Sequence, residues 1–354
     1  MNGGLFITLY DDKTLSLYLK NGIYGFLMKP VFNKKPSNRS MHYAALADYA
    51  CSREGTHVFF FLKRKIVYGG TVIGNTQSAS FYLNGDTSPL GRKANASLFW
   101  DESKRYISTE RKGVFKVNGI EKAQPFILQF TPVNELTGKM IVSDELYLEL
   151  GQYPYPLPSN SIQGMSFCTL TPGETEIALN LFCASDKFFD FNIDENYYTS
   201  DDRTLFSVDL LEYSEYQNEA NMEFTLLADI AKLRHLFLQD DYILCRQVPI
   251  SPFKPYNIDR ADICLYSIKN SIHNGTIPNV IIELKKERAN YHAYEQIVRY
   301  LKWLSKILSK EDFKIIEAII AAPDFYIPKT KIEDIFYDKI KLYNLKKNTL
   351  YNPI

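Results

Sequence analysis

The first half of the chain is a succession of short apolar runs broken by charged and glycine-rich turns. The stretch "THVFFFLKRKIVYGGTVIG" sets two β-rich runs on either side of a charged turn, "ASFYLNGDTSPLG" ends in a strong turn signal, and "GVFKVNGIEKAQPFILQF" continues the pattern. Two blocks break this rhythm and predict helices. One is "MHYAALADYACSR"; the other is "TPGETEIALNLF", in which Thr171 caps, Pro172 takes the first helical position and Glu174 stands three residues after the cap. Many short strands with a few helices predict a compact β-barrel with peripheral helices.

The second half opens on a helical period, with Met222, Leu226, Leu227, Ile230 and Leu233 of "NEANMEFTLLADIAKLRHLF" on one stripe. Three β-like runs follow: "ILCRQVPI", "ADICLYSI" and "NVIIEL". Next comes a long amphipathic helix with Tyr294, Ile297, Val298, Leu301, Leu304 and Leu308 on one face. "IIEAIIAAP" reads as a further buried strand, and "KIEDIFYDKIKLYNL" as a last helix or an irregular tail. This order predicts one mixed sheet with helices around it, and for the whole chain a two-domain α+β or α/β fold. Between the halves, "SDKFFDFNIDENYYTSDD" carries six acids against Lys187 alone and suits a surface linker. The expected division is 1–185, an acidic linker over 186–210, and 211–354.

Composition narrows the picture only a little. A chain of 354 residues exceeds one small core and fits about two domains. Hydrophobic content of 45% and charged content of 23% are ordinary for a globular protein. The net charge of zero supplies no global field that argues for nucleic acid, although local patches can hide in a neutral total. Cys51, Cys168, Cys183, Cys245 and Cys264 show no metal spacing and read as buried thiols in a reducing compartment. With no leader-like start and no apolar run near 18 residues, the expected place is the cytoplasm, without membrane contact.

The chemistry lies where a buried strand ends in charge. "ADICLYS" and "NVIIELKK" are separated by "IKNSIHNGTIP", whose Asn274-Gly275 signals a turn. A hairpin centred near residues 272–273 sets Asp262 opposite Glu283, with Cβ atoms about 5 Å apart. Lys285 follows Glu283 by two residues and shares its face. Two carboxylates and an ammonium at one sheet edge suit phosphodiester hydrolysis. Asp262 and Glu283 would hold Mg²⁺, with Mn²⁺ as a substitute, and Lys285 would orient water or offset developing charge. A surface salt bridge is the bland alternative; the buried run before Glu283 and the matching Asp262 weigh against it.

These residues resemble the core of PD-(D/E)xK nucleases. "YEQIVRYLKWL" is similar to the Q-x-x-x-Y element of the RecB-like branch, matched by Gln296 and Tyr300, a pair that the resemblance places beside the active site, helping to position DNA. "NEANMEFTLLADI" looks like the family's first helix, which implies one more acid, Glu219 or Glu223. Glu219 fits slightly better, and Glu223 reads as a solvated helix position. The match runs from about Asn218 to Lys306 and also resembles the C-terminal nuclease domain of prokaryotic mismatch and branched-DNA endonucleases. It departs in "IDRAD", where Asp259 reads as a turn residue.

The first half resembles the barrel of PUA/EVE-like domains, through "LADYACSREGTHVFFF", with Thr56 in place of the usual acid. Such domains often hold a modified or flipped base on aromatic side chains. That likeness nominates Tyr24, Phe26, Phe81, Tyr82, Asn84 and Trp100, all equally readable as core. Lys63, Arg64, Lys65, Arg92 and Lys93 offer either phosphate contacts or soluble hairpin tips, and His42 and His57 read as structural. Together the resemblances imply a homodimeric endonuclease on double-stranded DNA with an N-terminal base reader, acting in restriction with modification dependence as one option. A mismatch- or branch-specific repair endonuclease and a non-catalytic nucleic-acid-binding protein are the alternatives.

Overall fold

The structure, a computed structural model, describes residues 2–25, 36–74, 80–83, 98–101, 106–109, 115–117, 120–122, 126–151, 167–191, 218–228, 242–251, 259–326 and 334–351. The chain begins with β1 (Gly4–Thr8), α1 (Asp12–Asn21), β2 (Ile23–Gly25), α2 (Pro36–Cys51), β3 (His57–Leu62) and β4 (Lys65–Val72). Short strands follow: β5 (Tyr82–Leu83), β6 (Leu98–Asp101), β7 (Tyr106–Thr109), β8 (Phe115–Val117) and β9 (Ile120–Lys122). Then come β10 (Phe126–Thr131), β11 (Met140–Val142), α3 (Ser143–Leu150), β12 (Phe167–Leu170) and α4 (Pro172–Ala184).

The main sheet of this half runs β12-β1-β3-β4-β10-β2, with β11 beside β4 and β5 beside β10. Strands β1 and β3 are parallel; the remaining pairs are antiparallel. These strands form a curled mixed sheet, and among the described residues no pair joins β12 to β2. The charged turn of "FLKRKIV" is the tip of the β3–β4 hairpin. Lys63 and Arg64 take left-handed φ values of 51° and 64°, the twist that a two-residue hairpin needs. Lys63 pairs with Asp12 and Arg64 with Asp144, all largely exposed.

Two helices are not announced by the strand-like pattern. Helix α1 is capped by Asp11, which accepts from the Thr14 amide at 2.7 Å, and ends on left-handed Gly22. It buries Leu15, Tyr18 and Leu19. Helix α3 is a short element of about two turns with Leu146 and Leu150 inward. The α4 cap forms as the sequence foretells: the Thr171 side chain accepts from the Glu174 amide, and Glu174 reaches back to the Thr171 amide.

The second half contains α5 (Glu219–Ala228), β13 (Tyr242–Ser251), β14 (Asp259–Ser267), β15 (Val280–Leu284) and β16 (Ala289–Asn290). It continues with α6 (Tyr291–Ile307), α7 (Lys310–Lys314), β17 (Glu317–Ala322), β18 (Phe325–Tyr326), β19 (Ile340–Asn344) and β20 (Thr349–Tyr351). The sheet order is β13-β14-β15-β17-β19-β20. Strands β15, β17 and β19 are parallel, and α6 supplies the crossover between the first two. The expected last helix or irregular tail is thus corrected: after a 3-10 turn over Asp334–Lys339 the segment joins the sheet as β19, and β20 follows it as the outer strand. Asp259 likewise opens β14 opposite Ser251 instead of lying in a turn.

The two halves share a core. One apolar cluster passes from Leu5, Leu46 and Ala47 through Met222, Phe224 and Leu227 to Ile263, Ile282 and Ile319, with α2 and α5 between the two sheets. On the other face of the second sheet, α6 buries Tyr294, Ile297, Leu301 and Leu304 against Cys264, Ile281 and Ile320. Arg53 fastens the α2–α5 junction by donating to the carbonyls of Ala50, Ser52 and Leu227 at the ends of both helices. Residues 192–217, which take in most of the expected linker over 186–210, lie outside the described residues, as do Ile230 and Leu233. Its described beginning is pinned to the first sheet, where Met140 donates to Lys187 and Phe189 to Gly138, each at 2.8 Å. No helix among the described residues is long and apolar enough to cross a membrane.

Candidate active site

Strands β14 and β15 pair as the hairpin the sequence implies. Ile263 stands opposite Ile282, Cys264 opposite Ile281 and Leu265 opposite Val280, and one step further along are Asp262 and Glu283. The Leu284 amide donates to Asp262 Oδ2 at 2.7 Å, so the Asp262 carboxyl lies against the end of β15. Glu283 is 2% exposed, and its Oε1 accepts from Lys285 Nζ at 2.7 Å. Beyond Leu284 the chain stays on the sheet for one more bond, Lys285 N to Ala321 O at 2.9 Å, before it turns away. That turn leaves Lys285 partly open while Glu283 remains covered. The acid, acid and amine therefore meet at one edge.

Helix α5 adds a buried acid, but not the expected one. Glu219 lies exposed in its first turn. Glu223, read from sequence as a solvated position, is buried, because one turn further along the helix faces β13. The Arg246 guanidinium grips it with two bonds, Nε to Oε1 at 2.9 Å and Nη2 to Oε2 at 2.8 Å. Arg246 Nη1 also donates to Asp48 of α2 at 2.8 Å. Gln247 completes the chain of contacts, donating to Asp262 Oδ1 at 3.1 Å and to Glu223 Oε1 at 3.4 Å. Its φ of 51° is left-handed, rare for a residue inside a strand and sustained only when the surroundings hold it. A cleft of about 400 Å³, its open mouth included, runs along Asp48, Arg246, Gln247 and Arg260.

Charge at this site is unbalanced. Burial pushes the Asp262 carboxyl well above the ordinary carboxylate range, and the charges of Glu283 and Glu223 push it further. Burial also raises Asp48, to about 6, against the pull of Arg246. Burial opposes the charge of Lys285, but Glu283 beside it, with Asp262 and Glu219, holds the ammonium above its usual range. The same contest at Arg246 is won by Asp48 and Glu223. The buried acids Asp48, Glu223, Asp262 and Glu283 thus outnumber the two bases bonded to them, Arg246 and Lys285. A divalent cation held by Asp262 and Glu283 would offset that excess and favour the ionised form of Asp262. The donor set fits Mg²⁺, which takes one or two carboxylates and keeps several waters. Among the described residues no group of three or more His, Cys, Asp or Glu makes a fuller cage.

Gln296 and Tyr300 lie on one face of α6, joined by Gln296 Nε2 donating to Tyr300 Oη at 2.7 Å. Tyr300 is fully buried, and its hydroxyl donates to the backbone of Arg260 at 2.9 Å. The pair thus supports β14 just ahead of Asp262. The nominated base-binding aromatics do not gather into a cage among the described residues. Tyr24, on β2, is buried against Tyr18, Tyr49 and Phe60, and Phe81, just ahead of β5, is buried against Tyr49 and Phe126. The side chains of Tyr82 and Trp100, and all of Phe26, Asn84, Arg92 and Lys93, lie outside the described residues, as does the side chain of His42. His57 Nδ1 meets Tyr68 Oη at 2.8 Å, and burial lowers it to about 4, in keeping with a structural role.

Sequence reasoning overlooked Asp48, Arg246 and Gln247. The available signal was local: a charged-polar pair inside the apolar "ILCRQVPI", and one acid inside the apolar "YAALADYAC".

No family model matches the chain, and no curated protein matches it. Among solved structures, a repair endonuclease from Pyrococcus abyssi is similar at 24% identity over 31% of this chain and 40% of that one, with a TM-score of 0.22.

Proposed function

We propose that this chain is a metal-dependent endonuclease that hydrolyses phosphodiester bonds of double-stranded DNA. The observation that carries the reading is the meeting of Asp262, Glu283 and Lys285 at one edge of the second sheet, where acids outnumber bases. In it, Asp262 and Glu283 would hold Mg²⁺ or Mn²⁺, which would supply Lewis acidity to the scissile phosphate and its attacking water. Lys285, poised on Glu283 and partly open, faces the negative charge that builds on the phosphate. Gln247, itself bonded to Glu223, braces Asp262 from the side opposite β15. Gln296 and Tyr300 keep the strand carrying Asp262 in place.

Within this class we assign the chain to restriction, with residues 1–185 in the recognition role, 186–210 as linker, 211–354 as the nuclease part, and two copies acting together for a double-strand cut in the cytoplasm. Nicking of supercoiled plasmid tests the activity: it should require Mg²⁺ or Mn²⁺, stop with EDTA, and vanish in Glu283→Gln without change in circular dichroism. A Glu283→Gln chain that nicks at the parent rate overturns the reading. A panel of unmodified, methylated, hydroxymethylated, mismatched and branched duplexes tests the finer role. Preferential cutting of mismatched or branched duplexes would move the assignment from restriction to repair.

A further inference from the structure

The acid of α5 and the carboxylate of β14 are connected to the first half of the molecule by an unbroken chain of side-chain hydrogen bonds. It runs from Asp48 to Arg246, from Arg246 to Glu223, and through Gln247 to Asp262. Asp48 and Arg246 are nearly sealed from solvent, their side chains 8% and 7% exposed. Buried charges of this kind hold their places closely, since moving either one strands its partner. The arginine fork also has a shape: its three nitrogens fix Glu223 and Asp48 at once, which an ammonium cannot do. Gln247 meanwhile is held in a strained left-handed conformation, and the strain aims its amide between two carboxylates. Strain kept at such a point marks a position whose geometry matters.

We propose that Asp48, Arg246 and Gln247 are positioning residues for the divalent-cation site, so that helix α2 of the first half sets the metal affinity of carboxylates in the second. The inference rests on the endonuclease reading above and adds to it that neither half is complete alone. Asp48 orients the Arg246 fork, the fork fixes Glu223, and Gln247 transmits that placement to Asp262. None of the three touches the reacting phosphate. Partners standing behind metal ligands commonly change metal affinity or activity by 10- to 100-fold when removed.

The test is Mn²⁺ binding by titration calorimetry on the full chain, read beside plasmid nicking and thermal melting. Asp48→Asn and Arg246→Lys should weaken Mn²⁺ binding by about tenfold or more and raise the metal needed for half-maximal nicking equally. The KM for DNA should stay unchanged, and Asp48→Glu should recover much of the loss. Gln247→Gly covers the case in which those two variants fail to fold. It relieves the left-handed strain, which offsets part of the two lost hydrogen bonds, so it should fold and melt close to the parent, yet bind Mn²⁺ about tenfold more weakly. If Gln247→Gly, and any of the others that fold, bind Mn²⁺ like the parent, the positioning role is overturned and only a structural link between the halves remains. A parent that binds no Mn²⁺, and is indistinguishable from Glu283→Gln, overturns the endonuclease reading and this inference with it.

Discussion

The Tyr300 hydroxyl donates to the Arg260 carbonyl at 2.9 Å, and Arg260 precedes Asp262 by two residues on the same strand. The resemblance to RecB-like nucleases set the Gln296–Tyr300 pair beside the active site, helping to position DNA. Its contacts are with the protein: it clamps β14 to the helix that covers it. Tyr300→Phe keeps the ring and loses the clamp, leaving the carbonyl with one partner fewer. The expected cost is about 1 kcal/mol in denaturant unfolding. Nicking should fall by about tenfold, as the Asp262 strand loosens. A Tyr300→Phe chain that unfolds and nicks like the parent would show the hydroxyl to be idle.

Lys285 is expected to act on charge in the reaction and hardly at all on metal binding. Its ammonium lies on Glu283 at 2.7 Å and is partly open, whereas the cation would be held by carboxylates. Lys285→Met should therefore lower the nicking rate by at least about a hundredfold, the scale set by removing one donor from a developing oxyanion. Mn²⁺ binding should remain within severalfold of the parent. Lys285→Arg restores the charge without its compact shape and should recover only part of the rate. Equal loss of binding and rate in Lys285→Met would instead make the lysine a partner that shapes the metal site.

The central hairpin was legible because strand registry is arithmetic. A turn at Asn274-Gly275 and period-two alternation leave little freedom in what faces Glu283, and the observed pairs of Ile263 and Cys264 follow that registry. The buried network was not legible, because its members come from three places distant in sequence: Asp48, Glu223 and the pair Arg246-Gln247. Nothing in a helical period reveals that Glu223 will meet an arginine on a strand, and by composition alone Glu219 and Glu223 are equivalent. The shared core was hidden for a related reason. Apolar stripes announce burial without naming the surface they bury against, so α2 and α5 each read as part of a separate domain. The "KIKLYNL" tail was ambiguous because a short apolar run carries too few residues to separate a period of two from one of 3.6.

Arg53 is expected to hold the halves together by helix-end chemistry. Its guanidinium reaches Ser52 O at 3.1 Å, Leu227 O at 2.9 Å and the Ala50 carbonyl, the negative ends of α2 and α5. Burial lowers its affinity for the proton to about 10, still well above neutrality. Arg53→Met would fill similar space but leave those carbonyls unanswered, at a cost of about 2 to 4 kcal/mol. Denaturant unfolding followed by tryptophan and by circular dichroism would measure it. A cost below about 0.5 kcal/mol would mean that water replaces the guanidinium freely.

The pH dependence of the metal-free chain should run opposite to ordinary acid denaturation near neutrality. Burial raises Glu174 from 4.5 to about 7 and Asp48 from 3.8 to about 6. Each acid therefore holds its proton more tightly folded than unfolded. Below about pH 4 both states are protonated and the full benefit is present. As pH rises from there toward 7 the unfolded chain releases its protons first, so stability falls, each group contributing a slope of at most about 1.4 kcal/mol per pH unit. Above the folded values the penalty is constant. Glu174→Gln isolates one contribution, because its amide oxygen can still accept from the Thr171 amide as the carboxylate does at 2.8 Å. The variant should gain stability relative to the parent at pH 7 and lose that advantage at pH 4.5, flattening the curve between them. Urea unfolding at half-unit intervals, with EDTA present, gives the two profiles. Parallel profiles for parent and variant would place the Glu174 proton outside the folding equilibrium.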